Sequence, residues 1–380
     1  MIQFELEGVE NAKMKVIGVG GAGGNAINRM MFSNLTGVDF LAMNTDCQAL
    51  NRCSAPQKLQ IGSMITRGLG SGGEPQMGKA SAEEDRDAIR EAVTGADMVF
   101  ITAGMGGGTG TGASPIVAEI AKASGALTVG IVTKPFLFEG MRRMRQAEEG
   151  VAELRAQADT VVMIPNQKLL QVVSKETPLI DAFATADDVL LKATRGISDL
   201  ITRPGEINLD FADVRTVMSE MGDAILGTGT AAGENRAREA ANRALHSPLL
   251  DDVCISGARG LLINVTGSPG MTLAEVCEAA NSVYEAAGAD ANVIFGTAID
   301  EMLNDEVMVT VIATGIGEMP ERREEKQTER TEEVKEGGRI FQRAFRRREA
   351  VEVKTGTDGV VESPLDVDYE TPTFLRRHAD

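Results

Sequence analysis

The sequence predicts an α/β fold built on a largely parallel sheet, and three observations predict it. Short apolar runs alternate with amphipathic helical stretches from residue 15 onward. Two strand-to-helix junctions are glycine-rich, "GVGGAGG" at 18–24 and "GMGGGTGTG" at 104–112. A long proline-led helical stretch then separates the first alternating block from a second one.

The elements follow in order. "KVIGVG" (15–20) reads as a strand, "GNAINRMMFS" (24–33) as a helix and "DFLAMN" (39–44) as a second strand. "KASAEEDRDAIREAV" (79–93) has helical spacing, with Ala88, Ile89 and Val93 on one side. "DMVFITAG" (97–104) and "ALTVGIVT" (126–133) are apolar throughout, as strands covered on both faces are, and the helix "SPIVAEIAKAS" (114–124) lies between them. A helix over 139–158 and the strand "TVVMIPN" (160–166) complete the block. The helical stretch 178–202 opens on proline and stops at "RPG"; at 1.5 Å per residue it spans roughly 35 Å, the width of a domain. Beyond it, strands at 223–229, 259–267, 292–299 and 306–314 and helices near 233–246 and 271–287 make a second unit. At Glu318 the composition changes: residues 318–380 hold 16 Asp/Glu and 13 Lys/Arg with little periodicity, which predicts a charged, disordered segment. The run "RAFRRRE" (343–349) reads as a solvated stretch balanced by neighbouring acids. The closing "TPTFLRRHAD" (371–380), apolar and basic together after a tether, predicts a docking peptide.

Bulk composition narrows the function. The 380 residues are 43% apolar, enough for a sizeable core, but only 4% aromatic with no tryptophan, which argues against base-stacking platforms. A formal net charge of −18 argues against coating nucleic acid or an anionic membrane. Cys47, Cys53, Cys254 and Cys277 form no C-x-x-C pair, and with two histidines in the chain they predict reduced thiols rather than a zinc site. The N-terminus lacks a basic and an apolar signal region, and no apolar stretch approaches the ~18 residues of a membrane span, so a cytoplasmic protein is expected.

Gly18, Gly20 and Gly23 satisfy G-x-G-x-x-G between a strand and a helix, the spacing of a dinucleotide-binding turn, with Asp46 near the place of its ribose-binding acid. Taken alone, that motif favours an NAD-dependent oxidoreductase. A dinucleotide fold needs one phosphate loop, however, and this sheet supplies two. The second has six glycines between Gly104 and Gly112 and no lysine, so it is not a Walker A loop. Converging backbone N–H groups, the positive end of a helix beginning near Gly112, and the Thr109 and Thr111 hydroxyls can hold phosphate without a cationic side chain; Mg²⁺ would neutralise the phosphates further. "RGLGSGGEPQMG" (67–78) reads equally as a surface loop or as a contact to a terminal phosphate. Glu139 and Arg143, four apart, fit a ribose or an ordinary surface pair. Asn166 ends a strand, and Phe183 and Asp187 share a helix face. A ring beside an acceptor-only carboxylate suits guanine, whose edge offers N1–H and N2–H₂; core packing and a solvated acid are the alternatives.

The motifs "GVGGAGGNAINRM" (18–30), "NTD" (44–46), "GMGGGTGTGASP" (104–115), "PFLFEG" (135–140), "PNQKLL" (165–170) and "NLDFADVR" (208–215), in that order, resemble those of FtsZ, the bacterial tubulin-like cell-division GTPase. The resemblance covers about residues 13–316 and the terminal "TPTFLRR". It implies a tubulin-like fold: a parallel-sheet GTP-binding domain over 1–177 (residues 1–12 flexible), a central helix over 178–205, a smaller α/β activation and assembly domain over 206–317, a disordered linker over 318–369 and a docking tail over 370–380. It implies that GTP, with Mg²⁺, is held by Gly20, Gly21, Ala22, Gly23, Gly24 and Asn25 together with Gly104, Gly106, Gly107, Gly108, Thr109, Gly110 and Thr111. Glu139 and Arg143 would lie on the sugar side, and Asn166, Phe183 and Asp187 at guanine; no residue is assigned as a metal ligand. Asn208, Asp210 and Asp213 would belong to the face opposite the nucleotide, where they would reach the γ-phosphate of a neighbouring subunit stacked head to tail. On spacing alone, Asp210 and Asp213 read equally as a helix cap. The resemblance further implies a homopolymer at a mid-cell ring beneath the inner membrane, with membrane-tethering and regulatory division proteins bound through Thr371–Arg377 and no nucleic-acid partner or direct membrane insertion. A tubulin-like scaffold that binds nucleotide without hydrolysing it is a third reading, against which the presence of Asp210 and Asp213 counts.

Overall fold

The computed structural model describes residues 12–171, 176–203, 207, 209–250, 257–287 and 291–316. Asn208, the "RPG" stop after Arg203, Cys254, and the linker and tail from 318 onward lie outside the described residues.

The chain begins with strand β1 (Met14–Val19), helix α1 (Gly20–Phe32) and β2 (Val38–Asn44). Helix α2 (Cys47–Arg52), strand β3 (Gln57–Gln60) and a single helical turn, α3 (Ser63–Thr66), follow. The helical spacing over 79–93 is two helices, α4 (Pro75–Glu84) and α5 (Arg86–Val93), broken at Asp85. Then come β4 (Met98–Gly104), α6 (Thr109–Ala123), β5 (Leu127–Lys134), α7 (Met141–Gln157), β6 (Thr160–Pro165) and the short α8 (Asn166–Leu169). The long helix, α9, runs Leu179–Thr202. The remainder is α10 (Phe211–Met218), β7 (Gly222–Ala232), α11 (Arg236–Leu245), β8 (Gly260–Gly267), α12 (Leu273–Ala287), β9 (Asn292–Ile299) and β10 (Glu306–Thr314).

Among the described residues, ten strands form one sheet in the order β3-β2-β1-β4-β5-β6-β7-β10-β8-β9. From β3 to β7 every pair is parallel, whereas β10 runs antiparallel to both neighbours, β7 and β8. The two blocks read from sequence are thus joined through β6 and β7, whose parallel register is Thr160↔Gly222 to Val162↔Ala224.

The apolar runs are what a sheet covered on both faces requires. On β4, Met98 and Phe100 enter one core with α1, α9 and α10, while Val99, Ile101 and Ala103 enter the opposite core with α5, α6 and α7. A third core packs α11 and α12 on β8 and β10 through Ala240, Ala244, Val283, Ile263 and Val309. Parallel strands carry their carboxyl ends to one edge, so the loops after β1, β2, β4, β5 and β6 all emerge together.

Candidate functional site

A cavity of about 550 Å³ lies at that edge, within the usual range for a small-molecule site. Every loop just named contributes to it: Gly21 and Ala22 after β1, Asn44 and Asp46 at β2, Gly104, Met105 and Gly107–Gly110 after β4, Thr133, Pro135 and Glu139 after β5, and Asn166 after β6. Phe183, Ala186 and Asp187 reach it from α9, and Arg143 from α7.

The first glycine loop divides its labour. A Cβ on Gly23 would lie 2.5 Å from the Thr102 carbonyl oxygen, and one on Gly18 would strike the Gly23 carbonyl. Gly20 has a φ of +75°, and a Cβ there would lie 2.9 Å from the Gly110 nitrogen. The three glycines of the dinucleotide-type spacing therefore serve close packing, and Gly20 brings the two glycine loops together backbone to backbone. Gly21 and Ala22 face the cavity, while Gly20, Gly21, Gly24 and Asn25 border a smaller side pocket of about 250 Å³ that is also lined by Asn44 and Arg52.

The second loop enters α6 at Thr109, three residues before the expected start at Gly112. The reason is local: Gly108 accepts from the Gly112 N–H (3.0 Å) and so closes the first turn early. No side chain caps α6, yet residues 109–118 are all buried. A buried, uncapped helix start presents several N–H groups and the positive end of the dipole to the cavity, which is a binding arrangement for an anion. Gly107, Gly108, Thr109 and Gly110 line it. Gly106 and Thr111 do not: Gly106, at φ +96°, donates its N–H to Thr111 Oγ1 at 2.9 Å, so this pair shapes the loop from behind. Arg143, the cation on the cavity wall, is already paired with Glu139 at 2.7 Å.

Sequence reasoning left the 67–78 stretch open. Here Gly70, Ser71, Gly72 and Gly73 line the cavity, and the backbone takes positive φ at all three of those glycines. The loop is fastened by the Asp46–Leu69 bridge and by Ser71, whose hydroxyl lies 3.0 Å from that of Thr109. Thr45, within "NTD", Ser71, within the 67–78 stretch, and Thr133 were given no role of their own from sequence; their placement shows only once the loops are brought together. Asp46, considered above as a ribose contact, caps α2 by accepting from the Gln48 and Ala49 N–H groups.

At the other end of the cavity the aromatic and amide groups converge. Phe136 is buried, stacks on Phe138 at 5.2 Å and meets Phe183 edge-on at 5.4 Å, which holds the Phe183 ring at the cavity. Glu139 receives the Phe136 N–H at 2.9 Å, fixing the turn before α7. Asn166 is 6% exposed and its Oδ1 has no hydrogen-bond partner, as expected of a group aimed at a ligand. Burial pushes the Asp187 carboxyl up to about 6; Arg29 pulls it back and Asp188 pushes it further. Arg29 Nε is paired with Asp188 at 2.8 Å.

Asp210 and Asp213 lie elsewhere. Asp210 caps α10 by accepting from the Asp213 N–H at 2.8 Å, and both side chains are exposed. Helix α9 begins beside the cavity and ends at the far edge of the sheet, where a Cβ on Gly37, just before β2, would press on Thr202. From Asp187 to Thr202 the helix runs about 22 Å. Helix α10 sits at that far edge: Arg215 donates to the Gly125 carbonyl just before β5, and Thr160, the first residue of β6, donates to the Met218 carbonyl. The two acids are therefore separated from the cavity of their own chain by the length of the parallel strands.

Comparison with known proteins agrees with this geometry. The family model described as Tubulin/FtsZ family, GTPase domain, matches residues 13–174, and that described as FtsZ family, C-terminal domain, matches residues 222–317. The structure of an empty FtsZ dimer from M. jannaschii is 48% identical, covering 80% of this chain and 89% of that one with a TM-score of 0.78. A point mutant of the same M. jannaschii protein matches at 48% identity and a TM-score of 0.78, with 92% of that chain covered. CetZ2 from Haloferax volcanii, solved as a GTPγS-bound protofilament, shares the fold at 23% identity and a TM-score of 0.68, over 86% of this chain and 99% of that one. With two glycine loops converging on one cavity and both family models matched along the chain, the protein belongs to the tubulin/FtsZ family of GTPases and, within it, to the FtsZ family.

Proposed function

We propose that this GTPase hydrolyses GTP in head-to-tail filaments, each site being completed by the Asp210–Asp213 loop of the next subunit, and that the filaments form a bacterial division ring. The observation that carries the reading is the placement of that loop at the far end of α9, out of reach of its own cavity. An acid that cannot serve its own site can serve a neighbour's. A head-to-tail contact is heterologous and does not close, so it yields a filament. The cavity mouth supports the same reading: Leu69, Leu137, Phe138 and Met141 are 81%, 57%, 65% and 72% exposed beside it, an apolar rim around a polar hole that another protein surface would cover.

In this reading the phosphates lie on Gly21, Ala22 and Gly107–Gly110, held by N–H groups and the α6 dipole. The base lies between Phe183, Asn166 and Asp187. Asp210 is committed to its helix cap, which leaves Asp213 to accept a proton from the attacking water as its oxygen bonds to the γ-phosphorus and the bond to the β-phosphate oxygen breaks. Asn208 would orient the same water. Among the described residues no cluster of three His, Cys, Asp or Glu could hold a metal; Mg²⁺ would neutralise phosphate charge and would be held chiefly by the nucleotide's phosphates. Among the described residues no helix is long and apolar enough to cross a membrane, consistent with attachment to the membrane at mid-cell through partners bound at Thr371–Arg377. GTP turnover per subunit tests the assembly requirement. It should be near zero at low protein concentration and rise above a threshold; a constant rate per subunit from the lowest concentration would sink the shared site.

A further inference from the structure

Three hydroxyls lie in a row at the α6 end of the cavity. Thr109 Oγ1 is 2.6 Å from Thr45 Oγ1 and 3.0 Å from Ser71 Oγ. Thr109 and Ser71 line the cavity, whereas Thr45 is fully buried behind them. The Thr45 backbone is fixed as well: its carbonyl accepts from the Gly70 N–H at 3.3 Å.

A hydroxyl has one proton to give and two lone pairs to accept with. Thr109 stands in the middle, so the direction of the Thr45–Thr109 bond decides what it offers the cavity. If Thr109 gave its proton to Thr45, it would meet an incoming phosphate as an acceptor facing an acceptor. If Thr45 gives its proton to Thr109, the Thr109 proton is free for Ser71, or for an anion when one arrives. Thr45 touches no ligand in either case.

We propose that Thr45 is a positioning residue for the nucleotide's phosphate end: it donates to Thr109 and so turns the Thr109 proton toward the anion, with the Ser71 hydroxyl donating beside it. The inference rests on the reading that GTP or GDP phosphates occupy this end of the cavity.

Calorimetric titration of the full chain with guanosine and with GDP, below the assembly threshold, tests it. Thr45→Val keeps the branched side chain but removes the 2.6 Å bond that holds the Thr109 hydroxyl in place, so the Thr109 proton is no longer held toward the anion. It should weaken GDP about tenfold, the lower end for a hydrogen bond to a charged group, while guanosine, which carries no phosphate, changes by less than about twofold. Thr45→Ser, which retains the hydroxyl, should recover GDP affinity. Equal weakening of both ligands would make Thr45 a merely structural residue, and an unchanged GDP affinity would remove its role altogether; either result overturns the proposal. Should Thr45→Val fail to fold, Thr45→Ala carries the same contrast: a loss confined to GDP supports the relay, and equal losses overturn it. If the parent protein binds guanosine as tightly as GDP, the phosphate reading of the cavity fails instead.

Discussion

Lowering the pH from 7 to 5 should weaken guanosine binding about tenfold, and Asp187 is the cause. Its carboxyl sits on α9 at the cavity wall, where burial pushes it up to about 6. Guanine's recognition edge donates from N1 and N2, so it requires a carboxylate that accepts on both oxygens; the protonated acid would turn a donor toward a donor. Binding therefore favours the ionised form, and protonation competes with the ligand. With a midpoint of about 6, the ionised fraction is about 0.9 at pH 7 and about 0.1 at pH 5, and affinity follows that ratio. The nucleoside is the right ligand, because GDP carries a phosphate that titrates in the same range. Guanosine affinity should be measured calorimetrically between about pH 5 and 8 in the parent and in Asp187→Asn. The parent should lose affinity below about pH 6, and the variant should bind weakly with little dependence on pH. A flat parent profile, or a profile that survives in the variant, would refute the role given to Asp187.

Two glycines of the second loop should respond oppositely to alanine. A Cβ on Gly112 would strike the Pro75 carbonyl oxygen and lie 2.6 Å from the Lys79 nitrogen, whereas one on Gly107 meets nothing within 4 Å. Gly112→Ala should cost roughly 1–3 kcal/mol of stability, read by denaturant unfolding, while Gly107→Ala should leave stability unchanged and weaken GDP by intruding on the cavity. Asp199, 1% exposed on α9, is pushed up to about 6 by burial against the opposing pull of Arg203 and Arg195, with Asp300 raising it. A carboxyl raised by folding favours the fold at low pH, and that advantage is lost as pH climbs from about 4 to 6. Asp199→Asn should therefore gain on the parent by roughly 2 kcal/mol between about pH 4 and pH 7; a constant difference in unfolding free energy would contradict this. Asp213→Ala should abolish turnover with GTP affinity intact. Asp210→Ala should lose the α10 cap, about 1 kcal/mol, seen as a lower unfolding midpoint.

Much of the fold was legible because the long strands are buried on both faces and read as unbroken apolar runs, "VFITA" and "TVGIV" among them. The short pieces were not: β3 pairs over four residues with two of them exposed, and α2, α3 and α8 are one or two turns held by loops rather than by an apolar face. The break between α4 and α5 at Asp85 was hidden because both sides keep a helical period. Within the site, glycine density marked the two main loops, but density does not say which glycines face a ligand. A Cβ on Gly18, Gly20 or Gly23 would meet backbone, and the register of the loop against Thr102 and Gly110 that makes it so is a tertiary fact. Thr45 and Ser71 lay in quoted stretches, but their pairing with Thr109 was not legible, since a hydroxyl gains meaning only from the atoms set opposite it.

The shared site is tested most directly by mixing two inactive variants. Asp213→Ala keeps a cavity that binds GTP but lacks the acid; Gly108→Ala keeps the acid, but its Cβ would lie 2.9 Å from the Glu74 nitrogen and against the Ser71 hydroxyl, displacing the loop that lines the phosphate end of the cavity. Each alone should turn over little GTP at any concentration. Mixed in equal amounts above the assembly threshold, they should regain a substantial fraction of parental turnover, because the Asp213 of one subunit can meet the nucleotide of the other. A mixture that stays as inactive as its parts while still forming filaments would contradict the account.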